Sequence, residues 1–356
     1  MNISRIGLDL AKQVFQVHGV DGHEQVVCRR QLKRAQVLDF FRQLEPCLVA
    51  MEACGSAHYW ARELRALGHE VRLIAPQFVK PYVKGDKHDA HDAEAICEAA
   101  SRPSMRFVPV KSTEQQAAQS VHRIRSRLVR ARTALCNEIR GLLGEFGLIA
   151  GRRGRAATVE LLETVVASGP GSLPAPMGVL LNDLNDELQA LDARIDRLER
   201  MIKQSAREDA RLQRLLAVEG IGPLSASAVV AAVGDARQFH TARQFAAWLG
   251  LVPGQHSTGG KQRLGKITKR GDTYLRTLLI HGARAVVRCC VNKSDARSRW
   301  LQGLLQRRDA NVVAVALANK NARIIWALLS RETVSYTHLT LPTIHGSCRS
   351  RWSPSH

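Results

Sequence analysis

Long apolar runs are missing from this chain of 356 residues. The longest, around Val229–Val233 and Val312–Ala318, fall far short of the ~20 residues of a membrane-spanning helix, so no membrane role is expected. The opening MNISRIGLDLAK lacks the design of a secretory leader, which points to a soluble, intracellular protein. None of the eight cysteines forms a CxxC pair, and adjacent Cys289 and Cys290 do not suit a normal disulfide. A zinc ribbon and a disulfide scaffold are both disfavoured, and the thiols read as reduced core residues. Aromatic residues make up only 5% of the chain, few for stacking along single-stranded bases. Acids are scarce too: 32 Asp and Glu stand against 52 Lys and Arg, a net charge of +20. Such an excess favours a polyanionic partner, because neutralising phosphates releases counterions, and nucleic acid is the first candidate.

What is present divides the chain into units. The length predicts two or three cores, and the hydrophobic fraction of 45% supports a folded protein. IGLDLAKQVFQVHGV reads as strand, turn and strand, with Asp9 near the end of the first. LVAMEA at Leu48–Ala53 is a short buried strand delivering Glu52. A helix over His58–Leu67, closed by Gly68, and a strand over Val71–Ala75, stopped by Pro76, complete an α/β domain spanning residues 1–110.

Ser112 and Gln115 make a capping box for a long helix running to about Phe146. Its apolar positions Val121, Ile124, Leu128, Leu135, Ile139 and Leu142 leave Arg123, Arg125, Arg127, Arg130 and Arg132 on another face, a candidate phosphate-binding ridge. Residues Gly151 to Pro176, rich in Gly, Pro and Arg, read as a linker. Leu181, Leu184, Leu188, Leu191, Ile195, Leu198 and Ile202 then form a coiled-coil stripe that can close within the chain or on a second copy. These helices make a spacer over 111–212. In the third unit, 213–333, VEGIGPLSASAVVAAVGD has the form of a helix-hairpin-helix: Gly220 and Gly222 frame a tight turn and Pro223 opens the next helix. Such a turn offers backbone N–H groups to phosphate. The tail 334–356 lacks periodicity and reads as disordered or foreign.

GDKHDAHDAEA is a concentrated acidic spot in a basic protein. Asp89 and Asp92 stand three apart, on one helical face. Together with Asp9 and Glu52 they form four carboxylates whose mutual repulsion cations would relieve, and oxygen ligands suit Mg²⁺ or Mn²⁺. Paired ions of that kind cleave phosphodiesters.

GLDLAK around Asp9, MEACGS around Glu52 and KHDAHDAEAI around Asp89 and Asp92 resemble the DEDD motif of insertion-sequence transposases with a RuvC-like N-terminal domain (the IS-one-ten group, IS-eleven-eleven branch). FAAWLGLVPGQHSTGGKQRLGKITKRGDTYLRTLL is similar to that family's second domain. The resemblance spans roughly residues 4 to 330. It implies an RNase H-like catalytic domain, a helical coiled-coil middle and a mainly α C-terminal domain. It also implies a site-specific DNA recombinase that moves its own element, with Asp9, Glu52, Asp89 and Asp92 as catalytic metal ligands and a serine nucleophile in a shared site. Ser257 matches that serine, with Thr258 or Tyr274 as fallback. Lys261, Arg263, Lys266, Lys269 and Arg270 surround it with positive charge, and flanking glycines let backbone approach phosphate. The implied partners are DNA at the element ends and target, a guide-type non-coding RNA, and further copies of the chain in a dimer or tetramer. The implied location is the bacterial cytoplasm, at the nucleoid. Two other readings use the same residues: a structure-selective endonuclease in which metal-bound water attacks, and a non-catalytic architectural nucleic-acid-binding protein.

Overall fold

The computed structural model describes residues 2–83, 89–152, 154–167, 173–258 and 263–331. The chain divides into two compact units, Met1–Thr113 and a second that begins at Glu114. The expected tail lies outside the described residues.

The first unit is a six-stranded mixed sheet in the order β3-β2-β1-β4-β5-β6. Strands β1 (Arg5–Leu10), β2 (Val14–Val20) and β3 (Val26–Lys33) run as an antiparallel meander. Strand β4 (Leu48–Glu52) lies parallel to β1, and β5 (Glu70–Ile74) parallel to β4; β6 (Phe107–Val108) closes the far edge. Alternation along the central strands gives the sheet two apolar faces. Ile6, Leu8, Val49 and Met51 pack on α1 (Val37–Arg42) and α2 (Ala57–Ala66) through Phe41, Trp60 and Leu64. Ala50 and Ile74 share the other core with α3 (Pro76–Val79) and with Ala95, Ile96 and Ala99 of α4 (Asp89–Ala100).

The second unit is mostly helical. Helix α5 (Thr113–Gly144) begins directly after Ser112 and pairs with α7 (Ala175–Glu208). Leu128, Leu135, Cys136, Ile139 and Leu143 meet Leu181, Leu188, Leu191 and Ile195, so the leucine stripe is covered within the chain. Two positions in the expected seam of α5 are exposed, Ile124 at 43% and Leu142 at 36%, whereas Cys136 and Leu143, not expected there, are buried in it. Two of the ridge arginines are likewise engaged, Arg125 with Glu199 and Arg132 with Asp192. The expected linker contains a 13-residue helix, α6 (Arg155–Ala167), whose Leu162 and Val165 join the same core. Its apolar residues at positions 157, 161, 162 and 165 outweigh the Gly and Pro at its flanks.

Helices α8 (Ala210–Leu216), α9 (Pro223–Val233), α10 (Ala242–Trp248), α11 (Thr273–Cys289), α12 (Ala296–Leu305) and α13 (Ala310–Ser330) build the other core, with a two-stranded ribbon of β7 (Pro253–Gln255) and β8 (Leu264–Ile267). Among the described residues α13 alone is long and apolar enough to cross a membrane, longer than its sequence run implied. Its Val313, Leu317, Ala318, Ile325 and Leu328 are core residues here.

Candidate active site

The β1–β4 register sets Leu8 opposite Met51. The next step brings Asp9 beside Glu52 at the C-terminal ends of two adjacent parallel strands. Because side chains alternate, Asp9 shares a face with Gly7, and Glu52 shares one with Ala50. That face is the one α4 covers. A Cβ on Gly7 would stand 2.1 Å from the carbonyl oxygen of Ala93 and 2.6 Å from the amide nitrogen of Cys97. The helix backbone therefore rests directly on β1, and Asp92, one residue before Ala93, is carried to the strand ends. Asp89 is the first residue of α4; its side chain lies outside the described residues.

The electrostatics agree with this placement. Burial raises the Glu52 carboxyl above its ordinary value, and the charge of Asp92 raises it further. The thiol of half-buried Cys54 is raised by burial, then by Glu52 and Asp9. Three carboxylates thus act on one small region. Among the described residues, no three of His, Cys, Asp and Glu gather closely enough to hold a metal ion. The donors are nonetheless of the right kind for a hard cation: oxygens that repel each other and that a divalent ion would relieve.

The remaining expected residues sit in the second unit. Ser257 is exposed just after β7, and Gln255 Nε2 donates to its Oγ at 2.9 Å. The ribbon continues through a His256 N–H bond to the Arg263 carbonyl oxygen, 2.9 Å. Arg263, Lys266, Lys269 and Arg270 are exposed around it, while Lys261 lies outside the described residues. Thr258 is exposed; Tyr274 is half-buried, its hydroxyl tied to the ring of His122. Gly222 caps the start of α9 and is open to solvent, and Gly220 has φ of +88° in the preceding turn. On α5, Arg123, Arg127 and Arg130 are exposed.

Several residues that shape these regions were not singled out from the sequence. Gly7 was legible in principle, since a glycine two positions before an acid in a strand marks close approach of another backbone. Cys54, His122 and Ser227 carry no sequence signature, because they meet their partners, Tyr274 among them, only through the fold.

Comparison with known proteins gives two family matches along the chain. Residues 6–147 match a family model described as Transposase, that of the DEDD transposases of the IS110 type, and residues 212–300 match the Transposase IS116/IS110/IS902 family. A "Probable family 20 transposase" of Pseudomonas aeruginosa is 85% identical over 94% of this chain and 98% of its own length. The chain belongs to the IS110 family of DEDD transposases. The transposase for insertion sequence element IS1111A of Coxiella burnetii is 49% identical, over 93% of this chain and 91% of its own length. That for IS1328 of Yersinia enterocolitica is 43% identical over 94% and 98%. The protein is accordingly a DNA-cleaving enzyme of transposition.

Proposed function

We propose that this transposase cleaves and rejoins DNA with two chemical parts, a carboxylate site in an RNase H-like (RuvC-like) first unit and a serine nucleophile on the ribbon of the second. The observation that carries the reading is the juxtaposition of Asp9, Glu52 and Asp92 on the α4 side of the sheet. The strand order, a meander followed by two parallel strands, with Asp9 and Glu52 at the C-terminal ends of the adjacent parallel pair β1 and β4, supports the same assignment.

Asp9, Glu52, Asp92 and, from its place on α4, Asp89 would hold Mg²⁺ or Mn²⁺. The bound ions would supply Lewis acidity at the scissile phosphate. The chain's own residues do the rest. Ser257 Oγ forms a bond to phosphorus as the bond to a deoxyribose oxygen breaks; the serine proton is lost, and the leaving oxygen takes up a proton to become a hydroxyl. In rejoining, a hydroxyl attacks that phosphorus and releases the serine. The exposed bases Arg263, Lys266, Lys269 and Arg270, with Lys261, bind the phosphates around the serine. Arg123, Arg127, Arg130 and the Gly220–Gly222 turn, read as helix-hairpin-helix, hold backbone farther off.

Three units, 1–110, 111–212 and 213–333, would divide this work. Sequence choice would rest on an element-encoded RNA paired to donor and target, with copies of the chain assembling on DNA in the bacterial cytoplasm. The decisive experiment compares Ser257→Ala with Asp9→Ala on a DNA carrying the element ends in Mg²⁺. Loss of strand transfer in both, with a covalent protein–DNA adduct in the unaltered protein alone, is expected. Continued cutting by Ser257→Ala would favour hydrolysis by metal-bound water, and metal-independent binding without cleavage an architectural role.

A further inference from the structure

A cleft of about 280 Å³ opens on the second unit between α5, α9 and the start of α11. Its volume is near the roughly 300 Å³ at which small-ligand clefts begin, too narrow for a duplex and suited to one nucleotide. The back wall is stripped of bulk by Ala228 and Ala232 of α9. Tyr274 supplies an aromatic ring, and Ser126 a hydroxyl. Arg123 and Arg130, both exposed and two turns apart on α5, flank the mouth.

The ring of Tyr274 is held in place from behind. His122, buried to 4% exposure, meets the Tyr274 hydroxyl through Nδ1 at 3.2 Å and Ser227 Oγ through Nε2 at 3.0 Å. Both nitrogens are used, and burial lowers the imidazole to about 4, so near neutral pH it works as a neutral bracket with one donor and one acceptor. A fixed aromatic face, a small apolar wall and two guanidinium groups at the entrance form a combination that fits a base together with its phosphate.

We propose that this cleft receives a single unstacked nucleotide of a bound nucleic-acid strand, its base against Tyr274 and the Ala228–Ala232 wall and its phosphate at Arg123 and Arg130. Tyr274 is the stacking platform and His122 its positioning residue.

This inference rests on the reading that the second unit handles nucleic acid, and the test separates the two. Anisotropy is measured for a short single strand and for a blunt duplex, with 2-aminopurine placed in turn along the strand. Ala232→Met fills the cleft without touching a charge; Tyr274→Phe keeps the ring and removes its bond to His122. Duplex binding by the unaltered protein reports on the broader reading. The proposal expects Ala232→Met to weaken the single strand roughly tenfold, the scale of one base stacked on an aromatic ring, while leaving the duplex unchanged. It also expects one 2-aminopurine position to be quenched in the unaltered protein, and less so in both variants. Equal loss on both probes, no loss on either, or a free nucleoside monophosphate bound as tightly as the strand would overturn it.

Discussion

The carbonyl oxygen of Ala93 faces Gly7 so closely that a Cβ there would stand 2.1 Å away. The atom in the way is helix backbone, which cannot rotate aside as a side chain would. Gly7→Ala should therefore lift α4 from the sheet, costing about 1–3 kcal/mol as overpacking does, and move Asp92 away from Glu52. Thermal unfolding should show the loss, and DNA cleavage should fall further than the stability change accounts for.

Glu52 gives a pH dependence with a definite sign. Its carboxyl is raised in the folded protein by burial and by Asp92, so the folded state binds the proton more tightly than the unfolded chain. That contribution to stability is complete below the ordinary Glu value of 4.5 and is lost as pH rises through the folded value. In metal-free protein Glu52→Gln should flatten this decline. Added Mg²⁺ should raise the melting temperature of the unaltered protein at neutral pH and leave the variant less changed; equal shifts in both would argue against Glu52 as a ligand.

His122 has the opposite sign. Burial first, then Arg125, lowers it to about 4 from 6.5. The neutral ring stabilises the fold above 6.5, and the stability drains away as pH falls toward 4, on the order of 3 kcal/mol in all. Urea unfolding at pH 7 and pH 5 should show the loss in the unaltered protein and a smaller one in His122→Asn.

The leucine stripe of α7 is buried against α5 of the same chain. Leu188→Ala should cost about 2–5 kcal/mol and lower the melting temperature even in dilute protein. A melting temperature that changes only with protein concentration would place the stripe between chains instead.

Arginines on α5 should separate by partner. Asp192 accepts from both Arg132, at 2.8 Å, and Arg155, at 2.5 Å, so Asp192→Asn should destabilise the helix pair with little effect on DNA affinity. Arg127→Ala should do the reverse, keeping stability within about 0.5 kcal/mol and lowering the salt slope of DNA binding by about 0.9 for each phosphate it no longer neutralises.

The positions of the candidate acids were legible because each lies at the end of a short apolar strand or in the first turn of an alanine-rich helix, patterns that hold before tertiary contacts form. Strand β3 was not, because Arg29, Arg30 and Gln31 are exposed on an edge strand and hide the alternation that Cys28 and Leu32 carry. Helix α6 was masked by flanking Gly and Pro. On α5 the choice between Leu142 and Leu143 turns on one step of helical phase, which only the path of α7 decides. The hydrogen bond between His122 and Tyr274 joins residues 152 positions apart, and no local pattern reports such a pairing.

Gly220 and Gly282 meet backbone to backbone: a Cβ on Gly282 would stand 1.8 Å from the carbonyl oxygen of Gly220. The turn ahead of α9 and the middle of α11 are therefore one mechanical part, with no side chain between them to act as a cushion. Under the proposed function, a pull on DNA held at the turn would be transmitted along α11 to Asp272 at its head, which follows the ribbon and Ser257 in the chain. On that reading grip and nucleophile would move together, and a single added methyl at position 282 would wedge the two backbones apart and uncouple them.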